Sequence, residues 1–126
     1  MKFKNLLVIN AVVALVYGIS YQFVPKTILS LYGLTTGQGE ILMSRLFGAP
    51  LIGIGLLTWF VRNIRDSETQ RALILSMLVY HLIGFVITIH GTVTGVMSAA
   101  GWTGVGIFLF FTLGYAYFQF IKPETI

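Results

Sequence analysis

Arg45, His81 and His90 each interrupt or border a long apolar run in this 126-residue sequence. Ionisable groups inside runs long enough to cross a bilayer are costly and are functional candidates by default. Arg45 stands about one turn into its run, close enough to the end for its guanidinium to reach the interface. Glu40 precedes it by five residues, beside the start of the same helix, where a carboxylate is favourable. Two readings stay open. The pair forms an anion-binding head for a lipid headgroup, a carboxylate or a quinone carbonyl, or it is a structural ion pair holding a loop onto the helices. His81 falls near the middle of its run. It could relay protons, bond a quinone, ligate haem, or simply satisfy itself on a neighbouring hydroxyl or carbonyl, with Tyr17, Thr58 and Thr112 as partners. His90 is nine residues further on, roughly 180° around a helix, which argues against a shared haem or metal. No second ligand lies three or four residues from either ring. His90 reads as interfacial.

Other chemistries lack their residues. There is no cysteine, hence no thiolate metal site, thiol relay or cysteine nucleophile. The acids Glu40, Asp66, Glu68 and Glu124 all lie outside the apolar runs, whereas a proton-driven pump normally buries one. No Ser-His-acid arrangement is visible, and Gly104 and Gly106 sit inside an apolar helix rather than between strand and helix. Catalysis has no constellation to stand on, and neither a cofactor nor a metal is implied.

Composition places these residues in lipid. Charged residues are 10% and hydrophobic residues 56% of the chain, with mean hydropathy +0.88. A soluble domain carries about 25% charged residues, and disorder needs the opposite composition. Residues 5–24 contain no charge, 41–61 only Arg45, and 72–121 none at all. A single helix over that last stretch would be about 75 Å long, far beyond the ~30 Å hydrocarbon core. Small and turn-forming residues from Gly91 to Gly101 break it. The expectation is an all-α, polytopic membrane protein: a single domain over 1–126 with four transmembrane helices at about 5–24, 41–61, 72–90 and 102–121. A β-barrel would require an alternation that Leu73, Ile74 and Leu75 do not show.

Cations orient the bundle. Lys2, Lys4, Arg62, Arg65, Arg71 and Lys122 fall on one side and Lys26 on the other, so both termini are expected in the cytoplasm and the protein in the cell membrane. The N-terminus resembles a secretory signal, but its apolar stretch is too long and lacks a small-x-small cleavage site; it reads as the first helix. Trp59, Phe60, Tyr115, Tyr117, Trp102 and Tyr21 are expected at the interfaces. The arginines of the loop 62–71 suit anionic headgroups, with no basic face around them for nucleic acid.

Between the first two spans, Pro25 can open a short interfacial helix and Gly33 can stop it. This segment is either a lid over an outward-facing cavity or a connector shielding helix ends. Pro50 predicts a kink or opened turn at residues 46–50. Ala14 with Gly18, and Ala49 with Gly53, form small-xxx-small pairs for close packing. Ser76, Tyr80, Gly84 and Thr88, with His81 at the margin, make a lean face expected to look into the bundle, while Leu75, Leu78, Leu82, Phe85 and Ile89 face lipid. The pairs Gly53/Gly55 with Gly104/Gly106, and Tyr17 with Tyr80, hint at a two-helix repeat.

The run Leu31-Tyr32-Gly33-Leu34, then Arg45-Leu46-Phe47-Gly48-Ala49 and Gly53-Ile54-Gly55, together with Gly101-Trp102 and Gly114-Tyr115, resembles the small DoxX-like four-helix membrane proteins. The resemblance implies a four-helix bundle and marks Arg45 as the family-like arginine. One branch of that wider family is associated with quinone-linked sulfur oxidation, for which this chain has no cysteine to hold sulfur.

These readings converge on non-enzymatic binding of a hydrophobic or amphipathic molecule, lipid or quinone-like, or service as an accessory subunit. The candidate site is Arg45, Glu40, His81, Tyr80, Gly84 and Tyr17. A quinone-linked oxidoreductase subunit and a small-solute transporter acting as an oligomer are the alternatives. Membrane lipids and a second copy of the chain are the expected partners.

Overall fold

The computed structural model describes residues 2–121, and Lys122 and Glu124 lie outside them. The chain is all-α. Helix α1 (Phe3–Phe23) leads through the short α2 (Pro25–Leu31) to α3 (Gln38–Phe60), followed by α4 (Ser67–Val93) and α5 (Gly101–Ala116), which ends in a π-helical turn over Tyr117–Ile121. Counting that turn with α5, four helices among the described residues are long and apolar enough to cross a membrane. Each exceeds or matches its expected span. In particular α4 begins five residues earlier, because Asp66 caps it by accepting from Thr69 N at 3.0 Å. The hydroxyl and main-chain N–H of Thr69 hold the Asp66 carboxyl below its ordinary range. The cap is therefore intact at neutral pH and weakens only as pH falls through that lowered value.

Pro25 opens α2, as its ring permits at a first turn. Gly33 closes it in the left-handed conformation (φ 73°). Its N–H bonds Ser30 O and that of Leu34 bonds Leu29 O, the double bond pattern that satisfies the last carbonyls of a helix. This turn is fastened to the distant connection between α4 and α5: Ser98 N donates to Tyr32 O at 2.8 Å and Ser98 Oγ to Leu31 O at 2.9 Å.

The helices associate as two pairs, α1 with α3 and α4 with α5. Glycine sets the first. A Cβ on Gly48 would lie 2.8 Å from Gly18 O, and one on Gly18 would lie 2.9 Å from Ile52 N. Farther along, a Cβ on Gly55 would strike Leu15. Gly18 thus packs as expected, with Leu15 and Ala11 rather than Ala14 beside it, and the small residues buried on α3 are Ser44, Gly48, Gly55 and Thr58. Ala49 and Gly53 are exposed. In a helix apolar all round, several stripes of small residues look alike in sequence, and only the partner selects among them. Helix α3 runs continuously through Pro50. Gln22 Nε2 donates to Arg45 O at 2.6 Å, one residue before the carbonyl that Pro50 leaves without an in-helix donor.

The two pairs meet at the end away from α2. There Phe3, Leu6, Leu7, Ile74, Met77, Phe111, Tyr115 and Phe118 form the buried core. A Cβ on Gly114 would lie 2.9 Å from Leu6 Cδ1, and the rings of Phe3 and Phe118 are 5.4 Å apart. The first and last described turns therefore share one end of the bundle. Exposed Val12, Val16, Ile19, Leu42, Leu57, Leu82, Val86 and Leu113 cover the outside, as lipid contact requires. Three buried threonine hydroxyls satisfy themselves on their own helices, Thr58 on Ile54 O, Thr88 on Gly84 O and Thr92 on Thr88 O.

Gly48→Leu should lower the thermal stability of the purified protein, by about 1–3 kcal/mol for an overpacked contact. Gly53→Leu, facing open space, should change it little. Unfolding of both variants in one mild detergent checks this.

Candidate functional site

Away from the packed end the two helix pairs enclose a cavity of about 380 Å³. Its floor lies halfway along the bundle. Helix α1 contributes Asn10, Ala14, Tyr17 and Tyr21, one inward stripe from its middle to its α2 end; α4 contributes Tyr80, His81, Gly84 and Thr88; α5 contributes Gly104, Phe108 and Phe111. Tyr32, from the turn after α2, reaches the same space and is buried. No Lys, Arg, Asp or Glu is among the lining residues.

The floor is polar. His81 is 3% and Asn10 2% exposed. Asn10 Nδ2 donates to Tyr115 Oη at 2.5 Å and approaches Met77 Sδ at 3.7 Å, joining α1 to α5 and α4. His81 Nδ1 lies 2.8 Å from Met77 O, on its own helix. Its ring is held among aromatics, stacked on Tyr115 at 5.5 Å, against Phe111 at 4.8 Å and edge-on to Tyr80 at 4.6 Å. The hydroxyls expected to receive His81 are engaged elsewhere or apart: Tyr17 bonds Tyr32, Thr58 bonds its own helix, and Thr112 Oγ1 is buried without a partner. The ring is satisfied by the nearest main-chain carbonyl, a partner that sequence does not display.

The roof is a hydroxyl chain. Tyr17 Oη and Tyr32 Oη are 3.0 Å apart, and Tyr32 Oη and Thr103 Oγ1 3.4 Å. With the Ser98 bonds, these tie α1, the α2 turn and α5 over the cavity. Sideways the space reaches the outer surface at Phe47 of α3 and at Ile83 and Ile87 of α4, which are 43%, 54% and 65% exposed. Helices α3 and α4 pack little against each other, so this side faces lipid.

Of the expected site residues, His81, Tyr80, Gly84 and Tyr17 meet around one cavity. Gly84 is required there, since a Cβ would lie 2.6 Å from Phe108 Cδ1 and Cζ. Arg45 and Glu40 do not line it, and both are exposed. Glu40 accepts from Thr35 Oγ1 at 2.6 Å and Gly37 N at 3.1 Å; its partners are the residues that open α3, not Arg45. The inward face of α4 is also rotated from expectation. It runs through Gln70, Ile74, Met77, His81, Thr88 and Thr92, while Ser76 is exposed and Leu78 packs on the core. Tyr115, expected at an interface, is fully buried, and Tyr21 turns to the cavity. Asn10 was not among the expected residues. An uncharged amide in the centre of the first span was the signal that could have found it.

The chain belongs to the family described as Domain of unknown function (DUF8292), whose model matches residues 1–120. Neither a curated protein nor a solved structure matches it.

The Asn10–Tyr115 bond should show as a coupling. Asn10→Leu and Tyr115→Phe should each destabilise the protein, and the double variant should lose less than their sum, by about 0.6 kcal/mol and at most about 1.7. Equilibrium unfolding of the four proteins measures it.

Proposed function

We propose that this member of the family binds one amphipathic small molecule, with a lipophilic body and a small polar head, between its two helix pairs, as a non-enzymatic binding protein or accessory membrane subunit. The supporting observation is the division of the bundle. One end is packed around the buried core, and the other holds an apolar cavity that ends on the buried polar floor of Asn10 and His81. Its volume falls at the lower end of the roughly 300–1,000 Å³ of small-molecule sites. The lateral edge at Phe47, Ile83 and Ile87 suits entry from the bilayer.

In this reading His81, Tyr80, Gly84 and Tyr17 serve the bound molecule, and Tyr32 covers it. Arg45 and Glu40 act at the surface, where Arg45 addresses lipid headgroups. The DoxX-like layout supports the architecture and this arginine. The positive-inside distribution of Lys2, Lys4, Arg62, Arg65 and Arg71 supports cytoplasmic termini, a cavity in the outward half and a cell-membrane location. A single domain accommodates all of this, and the lipid-facing sides of α3 and α4 leave room for a second copy.

Mass spectrometry of the protein released from its native membrane in mild detergent should find one retained small molecule per chain. Ala14→Phe, which places a ring in the cavity that Ala14 lines, should abolish retention; Gly53→Leu and Arg45→Met should keep it. An empty cavity in every case would overturn the reading. Orientation is checked separately, because the chain has no cysteine of its own. Asn63→Cys should react with an impermeant maleimide only from the cytoplasmic side, and Thr36→Cys only from outside.

A further inference from the structure

The two buried floor groups differ from the cavity's hydroxyls in having fixed hydrogen-bonding roles. A carbonyl oxygen only accepts, so the 2.8 Å contact with Met77 O requires the proton on His81 Nδ1. In the neutral ring this leaves Nε2 with a lone pair and no proton. Nε2 has no protein partner and is not among the sealed, unpartnered atoms of the described residues, where Thr112 Oγ1 alone stands. It opens on the cavity that His81 lines. Asn10 is constrained in the same sense. A thioether sulfur accepts weakly and cannot donate, so the side of the amide facing Met77 Sδ and Tyr115 Oη is its NH₂, and Oδ1 remains as the free acceptor. The floor thus offers two acceptors, and the one uncommitted donor beside it, the O–H of Tyr115, lies outside the cavity lining. Aromatic contacts on several sides of His81 keep the ring from turning to exchange its nitrogens.

We infer that the cavity selects a neutral lipophilic molecule carrying a hydroxyl group, an alcohol or phenol, which donates to His81 Nε2. This rests on the binding reading above and specifies its ligand class. A ketone or quinone carbonyl would set one acceptor against another. A carboxylate or phosphate would meet no cation, since none lines the cavity, and would lose its hydration uncompensated. The hydroxyls of Tyr17, Tyr21 and Tyr80 can donate or accept, so they tolerate either chemistry and do not discriminate.

The test uses matched probes on the whole protein in phosphatidylcholine nanodiscs: 4-nonylphenol, its methyl ether 4-nonylanisole, and 4-nonylacetophenone. Equilibrium dialysis should give the phenol about tenfold tighter binding than the ether or the ketone, as one hydrogen bond to a buried, otherwise unpaired acceptor implies. In protein labelled with ¹⁵N-histidine, with His90→Gln leaving a single ring, Nδ1 should carry the proton, and the Nε2 resonance should shift with the phenol and not with the ether. Equal binding of phenol and ether, both lost in Ala14→Phe, would overturn the hydroxyl selection and leave cavity binding standing. Tighter ketone binding with the proton on Nε2 would overturn it as well. No saturable binding of any probe, with nothing retained from the native membrane, would remove both readings together.

Discussion

Helices in hydrocarbon gain nothing from hiding apolar surface from lipid, so how closely two of them approach depends on what stands between their backbones. That constraint organises this bundle. Where glycine meets glycine, at Gly18 and Gly48, main chains nearly touch. Where Leu6 meets Gly114, the two pairs close against each other. Toward α2 the facing residues are Tyr17, Tyr80 and Phe108, and rings of that size keep the pairs apart. The cavity follows from the distribution of small and large side chains along four otherwise similar helices.

The polar floor marks the boundary between these regimes. An amide, a phenol and an imidazole buried at mid-bundle would each be costly alone, and in lipid no water can relieve them. They are satisfied by one another and by a main-chain carbonyl, and in the process the amide N–H of Asn10 and the Nδ1–H of His81 are consumed. Acceptors are left facing the open side. At the other end of the cavity, Ser98 donates to Tyr32 O and Leu31 O and so fastens the α2 turn to the α4–α5 connection. That connector therefore carries part of the cavity lining through Tyr32.

Helix number, the break after Gly91 and the Pro25–Leu31 helix were legible in the sequence, because bilayer thickness, proline and glycine act locally. Rotation about each helix axis was legible only in part: Tyr80, Gly84 and Thr88 face the cavity and Leu75 and Leu82 the outside, as their pattern suggests. In a soluble protein polar residues point outward, whereas here nearly every position is apolar and the pattern loses its sense. Ser76 and Ala49 looked inward by pattern and turn outward, while Leu78, assigned to lipid, packs on the core. Arg45 and Glu40 drew attention by charge, yet each can rest at the surface at little cost. Asn10 carries no charge and drew none, although an amide at the centre of a span needs a partner more urgently than an arginine near its end.

An experimental structure of the protein in a lipid nanodisc tests the central claim most directly. It should show elongated non-protein density between α1, α4 and α5, its polar end within hydrogen-bond distance of His81 Nε2. Rings of Phe108 and Tyr80 collapsed against Tyr17, with no space left between the helix pairs, would contradict it.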